Sequence, residues 1–166
     1  MHLRNTVIGV VTGFGVALAG TPPVTINWAP HAQHELATRY GSDQEQVLRG
    51  ALLESLEPQL SKVSLPAAAS VLVTVERVAP THPTPRQSAD NPSLDPFASK
   101  SIGGAQLRGT VRDSDGRTLT AVSYSYYPST LRLGSASKDA WADARLAFQG
   151  FAARLAAAAR KLPAGH

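Results

Sequence analysis

An unbroken apolar stripe near the C-terminus constrains the fold more than any other feature. Its members step by three and four residues, which places them on one face of a helix. They are Trp141, Ala144, Phe148, Phe151, Leu155, Ala158 and Leu162. We expect this face to pack on a sheet of the same domain, with a partner helix as the alternative cover. Ser137 is the predicted N-cap, and Asp139 and Asp143 lie near the positive end of the helix dipole.

Four stretches alternate between apolar and polar residues, as half-buried strands do. They are residues 24–28, 71–78, 105–112 and 117–127. The last two are separated by a DSDG sequence, in which Gly116 can take a positive φ. These two stretches are therefore predicted to form a β-hairpin.

A second helix is predicted between the first two strands. Four leucines recur every four residues there: Leu48, Leu52, Leu56 and Leu60. Ser42 and Glu45 have the spacing of a capping box, and Pro58 predicts a kink or break near Glu57. The polar residues 31–40 are expected to be a loop with at most one helical turn.

The order of these elements is strand, helix, strand, strand, strand, helix. This order predicts an α+β fold, a two-layer sandwich in which a mostly antiparallel sheet of about four strands carries both helices on one face.

The first 19 residues have the features of an export signal. Arg4 supplies a positive charge, residues 6–19 carry none, and Ala17 and Ala19 are the small residues that a signal peptidase requires. The apolar run is shorter than the roughly 20 residues that a membrane-spanning helix needs. We expect cleavage near Ala19 and a periplasmic protein, with anchoring by an uncleaved leader as the alternative.

The remaining chain is predicted to contain a short tether (20–23), a single domain (24–162) and a tail (163–166). There is no cysteine, so an exported domain depends on its hydrophobic core instead of disulfides. Residues 79–101 contain five prolines among polar residues. Such long segments are usually disordered or functional, and we expect disorder or loose order, with a binding role as the alternative.

The net charge is +4, and the basic residues are scattered along the chain. Nucleic-acid-binding proteins normally show a dense basic stripe or patch, so a nucleic-acid partner is not expected. Weak contact with an anionic membrane surface stays open.

His31, His34 and Glu35 are the only compact group of candidate metal ligands. Two histidines three residues apart can meet on one helical turn, and zinc accepts imidazole and carboxylate ligands. The sequence offers no identifiable ligand outside this group to complete a site, so solvated loop histidines are the preferred interpretation. We therefore expect no bound metal and no cofactor.

Trp28, Tyr124, Tyr126 and Tyr127 are candidates for an interaction face, because aromatic side chains with polar tips favour interfaces. Ordinary packing in the sheet is the alternative. The chain has no G-x-S-x-G elbow, no thiol and no defined carboxylate pair. We therefore expect a protein that is not an enzyme.

Several short motifs resemble a family of uncharacterised small bacterial envelope lipoproteins with a domain of unknown function. The matching parts are residues 70–78, residues 101–105 (SIGGA), residues 113–122 (DSDGRTLTAV) and residues 141–155. The resemblance implies an α+β envelope domain and supplies no catalytic residues. Thr21 stands where a lipoprotein would have its acylated cysteine, so we expect a form without a lipid anchor.

The leading hypothesis is an exported accessory or interaction domain without enzymatic activity, whose partner is an envelope protein or a ligand. The alternatives are a periplasmic enzyme that acts on small molecules or glycans through a diffuse site, and a periplasmic metal-binding protein.

Overall fold

The protein is built on one four-stranded sheet. The computed structural model describes residues 22–131 and 138–163. The strands are β1 (Val24–Trp28), β2 (Ser70–Ala79), β3 (Gly104–Arg112) and β4 (Thr118–Tyr126). They lie in the order β1-β2-β3-β4. β1 and β2 are parallel, and the other two pairs are antiparallel. The predicted α+β class and mostly antiparallel sheet are confirmed.

The helices are α1 (Pro30–Glu35), α2 (Gln44–Leu60), α3 (Pro85–Asp90) and α4 (Ala142–Ala159). A π-helical segment, Leu36–Tyr40, continues α1. The prediction of a loop at residues 31–40 is therefore wrong. Ala32, Leu36 and Tyr40 are four residues apart and all buried, so apolar packing stabilises a helix whose other residues are polar.

α2 begins one residue later than the predicted Ser42 cap implies, and the alternative of a break near Glu57 is wrong. Asp43 occupies the N-cap position, and its side chain makes no capping hydrogen bond. The Glu45 carboxylate accepts from Arg49 at 2.9 Å instead of serving a capping box with Ser42. The helix continues through Pro58 to Leu60. Because Pro58 lies in the last turn and Leu60 is fully buried, packing outweighs the single backbone bond that proline removes.

The core lies on one side of the sheet, between the strands and the helices α2 and α4. From α4 it receives the predicted stripe, of which Trp141, Ala144, Phe148, Phe151 and Leu155 are buried. From α2 it receives all four leucines of the second predicted stripe. The opposite face of the sheet is uncovered by the described residues, and Thr25, Asn27 and Arg108 are exposed there. This is the two-layer arrangement expected from the sequence.

The β3–β4 hairpin is confirmed. Gly116 has a φ of +79°, and the Asp113 carboxylate accepts hydrogen bonds from the N–H groups of Asp115 and Arg117 at 2.9 and 2.8 Å. None of the helices in residues 22–131 and 138–163 is both long and apolar enough to cross a membrane. The predicted signal peptide and the Ser137 cap lie outside the described residues.

Candidate interaction site

The structure separates Trp28 from the tyrosines with which it was grouped. Trp28, Val75, Leu107 and Tyr124 form one row across the four strands, so Trp28 and Tyr124 lie at opposite edges of the sheet. Both lie on the helix-covered face. Tyr124 packs against α4: a Cβ added at Gly150 of this helix would lie 2.3 Å from the Tyr124 hydroxyl.

Tyr126 and Tyr127 lie at the end of β4. Tyr126 is half-buried and packs against the core, as the sheet-packing alternative predicts. Tyr127 follows the strand and is 38% exposed. Of the four aromatic residues predicted to form an interaction face, Tyr127 is thus the one whose ring the structure leaves most open.

His31, His34 and Glu35 lie on α1. Nε2 of His31 is 3.4 Å from Oε2 of Glu35, and the other oxygen of Glu35 accepts a hydrogen bond from Arg39 at 2.8 Å. The Glu35 carboxylate is therefore shared with an arginine, and both histidines are exposed. Within the described ranges, three or more potential metal ligands do not come together anywhere.

Residues 79–101 fold into a defined segment, which differs from the loose order expected. α3 begins with a capping box: Gln87 N–H donates to Thr84 Oγ1 at 3.3 Å, and Thr84 N–H donates to Gln87 Oε1 at 3.1 Å. Further along, the Asp95 carboxylate accepts 2.7 Å hydrogen bonds from the N–H groups of Phe97 and Ala98. These bonds, with Ala98 the stronger influence, lower the pKa of Asp95. The polar residues that suggested disorder are the ones that order the backbone.

Thr81 fastens this segment to the start of α4. Its N–H donates to the carbonyl of Ala140 at 2.7 Å. Its hydroxyl donates to Asp143 Oδ2 at 3.1 Å and accepts from the Asp143 N–H at 3.0 Å. A Cβ at Gly103 would lie 2.5 Å from the same hydroxyl. Only glycine therefore lets the chain just before β3 pass this close to Thr81. Thr81 and Asp143 are both buried, which makes this contact a fixed point for the segment.

His82 is buried beside a small cavity under the segment. Its ring is 2% exposed, and Nδ1 lies 3.1 Å from the carbonyl oxygen of Ser99. A carbonyl can only accept, so Nδ1 must donate and Nε2 of the neutral ring becomes an acceptor. Nε2 is buried without a hydrogen-bond partner in the described structure.

The cavity measures about 150 Å³ and is lined by His82, Pro83, Gln87, Leu94, Ser99, Lys100 and Ser101. Ligand pockets commonly have volumes of about 300–1,000 Å³. This one suits a few waters or a single inserted side chain.

Four large apolar side chains are exposed in segments that adjoin, along the chain, the end of the sheet where β2 and β4 finish and β3 begins. Phe97 is 58% exposed, Ile102 and Leu131 are each 44% exposed, and Tyr127 is 38% exposed. Ile102 precedes β3, Tyr127 and Leu131 follow β4, and Phe97 belongs to the folded segment. We call these four residues the apolar rim.

Cationic groups adjoin the rim. The Lys138 ammonium lies 4.9 Å from the centroid of the Phe97 ring. Arg77 is close enough to Tyr127 to act on its phenol: burial raises the pKa of Tyr127, and the charge of Arg77 partly opposes this rise. Each of the two aromatic rings of the rim, Phe97 and Tyr127, thus has a cationic side chain nearby.

A rigid aromatic cluster lies beside Tyr127. Tyr40 and Trp141 meet edge to face with ring centroids 5.6 Å apart, and the Trp141 indole donates to Gln44 Oε1 at 2.8 Å. Burial raises the pKa of Tyr40, and the charge of Glu35 adds to the rise. After burial and Arg77, the charge of Tyr40 also acts on the pKa of Tyr127 and raises it, so Tyr40 lies near Tyr127.

Sequence reasoning missed His82, Phe97, Ile102 and Leu131 as site residues. His82 lies in the Pro-rich segment that was expected to be loosely ordered, although the structure buries it. The sequence did contain a pattern that predicts the start of α3, namely Thr84 and Gln87 at the spacing of a capping box with Pro85 between them. The exposure of Phe97 and Ile102 carries no comparable signal, because it depends on how three separate parts of the chain meet.

Comparison of the chain with protein-family models, with curated proteins and with solved structures gave no match of any of the three kinds.

Proposed function

We propose that this protein is an exported accessory domain without enzymatic activity, which binds another protein of the bacterial envelope through the apolar rim. The observation that carries the proposal is the exposure of Phe97, Ile102, Tyr127 and Leu131, in segments that adjoin the same end of the sheet along the chain. In the described residues, the other exposed large apolar side chains are Val47 and Leu146, which lie on helices. Grouped exposed apolar side chains with a polar border are typical of protein-binding surfaces.

The rim is favourable for binding because its base is already ordered. Thr81 and Asp143 hold the segment that carries Phe97, and Gly104 lies against the ring of Tyr127. Side chains on a fixed base lose less conformational freedom on binding, so more of the contact energy appears as affinity. Aromatic residues are frequent among those that dominate interface energetics.

The chemistry of the rim indicates which kind of surface a partner would need. An apolar surface would cover the rim, and carboxylates at its border would face Lys138 and Arg77. Opposite charges at the edge of an interface mainly increase the association rate. The partner we propose therefore has an apolar patch bordered by acidic residues.

Export rests on the leader sequence, and the N-terminus of the purified protein tests it. We expect intact-mass measurement to give a chain that begins at Gly20 and carries no acyl group. An uncleaved leader would favour the anchored alternative, and an acylated N-terminus would contradict the proposal that the form is unlipidated.

Site-specific photo-crosslinking in cells tests the interaction. A photoreactive amino acid is placed at Phe97 and, separately, at Tyr127, and captured proteins are identified by mass spectrometry. The matched control is Asp115, which is exposed in the hairpin turn at the opposite end of the sheet. We expect one envelope protein to be captured from both rim positions and not from Asp115. Equal capture from all three positions, or none from the rim, would contradict the proposal.

A further inference from the structure

β4 is an unprotected edge of the sheet. It pairs with β3 on one side, and within the described ranges its backbone makes no hydrogen bond on the other side. Its nine residues, TLTAVSYSY, include no charged residue and no proline. Natural proteins usually protect such edges with charges, prolines, bulges or short strands, because open backbone groups recruit other strands.

The opposite edge of the same sheet has these protections. β1 has only five residues and follows Pro22 and Pro23. The Arg49 side chain donates a 3.0 Å hydrogen bond to the carbonyl of Ile26 in this strand. One edge is thus shielded by a charge, prolines and short length. On β4 a bulge lies between Thr118 and Thr120 at the hairpin end, and Pro128 follows the strand, which leaves residues 120–126 as an uninterrupted edge without charge or proline. We take this asymmetry as the mark of an edge that is paired in solution.

We propose that β4 pairs with β4 of a second copy of this chain, antiparallel and across a twofold axis, which joins the two sheets into one of eight strands. An antiparallel register centred on Val122 places Thr120 opposite the partner's Tyr124 on the helix-covered face. Pairs of aromatic and β-branched residues across antiparallel strands are stabilising. On the open face the residues that meet are Ala121 and Ser123, which are small and exposed.

The neighbouring surface of α4 is compatible with this arrangement. Gly150 lies against the Tyr124 ring, and Leu146, Ala153 and Ala157, which share that side of the helix by their spacing, are all exposed. The Arg154 guanidinium already lies over its own Tyr124 ring, 4.9 Å from the centroid. Joining two copies would cover this apolar flank as well as the strand edge.

A second copy fits better than a different protein because the edge is uncharged and complementary to itself. A twofold axis makes every favourable contact twice, and twofold dimers are the commonest protein oligomers. The inference does not depend on the apolar rim, because antiparallel pairing leaves the two rims at opposite ends of the dimer.

Sedimentation equilibrium of the whole purified protein tests the proposal, with two double variants of equal charge. Ala121→Lys with Ser123→Lys places like charges around the twofold axis, on side chains that face solvent in the single chain. Thr25→Lys with Asn27→Lys makes the same charge change on exposed positions of β1. We expect a dimer whose Kd rises by about tenfold or more in the β4 variant, with little change in the β1 variant. Circular dichroism checks that both variants fold.

Hydrogen exchange of individual amides identifies the surface. Alternate residues of an edge strand direct their N–H groups away from the sheet, so every second amide of β4 should exchange rapidly in a monomer. We expect these amides to become protected as protein concentration rises, while the amides of β1 stay unchanged. A protein that remains a monomer at all concentrations would overturn the inference. So would a dimer whose Kd is unaffected by the β4 lysines, or one in which the outward amides of β4 still exchange rapidly. A monomer whose β4 amides are protected only by another protein would show that the edge serves a different partner.

Discussion

A methyl group added at Gly109 tests the closest approach between α4 and the sheet. Gly109 lies in β3, and its Cβ would stand 2.6 Å from Cζ of Phe151, 3.2 Å from Cε2 of the same ring and 3.3 Å from Cδ1 of Leu155. Phe151 and Leu155 are fully buried. The substitution Gly109→Ala therefore requires a packed ring or the helix itself to move.

Two opposing effects set the size of the change. Overpacking a well-filled core costs about 1–3 kcal/mol. Replacing glycine by alanine also reduces the freedom of the unfolded chain, which stabilises the fold by about 0.4–1 kcal/mol. We expect a net loss of about 1–2 kcal/mol in the free energy of unfolding. The matching fall in Tm is roughly 2–8 °C for a domain of this size.

Urea denaturation followed by tryptophan fluorescence measures this loss. The expected result is a lower midpoint with an unchanged m value, because the substitution alters packing and not the surface exposed on unfolding. Phe151→Leu removes the atoms that the new methyl group meets. In the double variant, Gly109→Ala should therefore cost at least about 1 kcal/mol less than it does alone.

Gly50 supplies the control. It lies in α2, and a Cβ there would meet nothing within 4 Å. Gly50→Ala should stabilise the protein by about 1 kcal/mol, since alanine is the better helix former. If Gly109→Ala also stabilises the protein, or if its cost is the same with Leu at position 151, the reasoning about this contact is refuted.

Three further predictions concern buried polar groups. Gln44→Leu leaves the Trp141 indole N–H without its acceptor, and urea denaturation should show a loss of about 1–3 kcal/mol; unchanged stability would mean that another group accepts this bond. Because the pKa of Tyr40 is raised above its ordinary value of 10.0, the stability it contributes is present below about pH 10 and is lost as the pH rises through the folded pKa. Stability measured against pH should fall less steeply in this range for Tyr40→Phe than for the natural protein, and identical curves would contradict the assignment. His82→Asn keeps a donor for the Ser99 carbonyl and removes the unpartnered Nε2, so it should cost about 1 kcal/mol less than His82→Ala; equal losses would show that Nε2 has a partner in solution.

Elements defined by a local pattern could be predicted from the sequence. The stripe that includes Phe148 and Leu155 has the period of a helix over five turns, and the predicted strands offered a sheet on which it could pack. β1 is confirmed with its predicted bounds because Pro30 ends the alternation that begins at Val24. Ser42 misled the prediction of the start of α2, since several polar residues compete for the cap at that point and only the folded chain decides between them.

The candidate site was less predictable because it depends on contacts between distant residues. Thr81 binds Asp143 across 62 positions of the chain, and no periodicity links them. Tyr127 was identified by its residue type alone, whereas Trp28 was placed with the tyrosines because the sequence leaves the strand order open. The Pro-rich composition of residues 79–101 suggested weak order, although Thr84, Asn91 and Asp95 each make local hydrogen bonds that define a turn or helix start.

Because α4 follows all four strands along the chain, its position affects when the core can be completed. Phe148, Phe151 and Leu155 fill the core beside strands that are all synthesised earlier, so the core stays incomplete until α4 has been made. The same order makes the protein sensitive to truncation. Loss of residues after 140 would remove Phe148, Phe151 and Leu155 from the core and would open part of a sheet that also carries an uncharged edge.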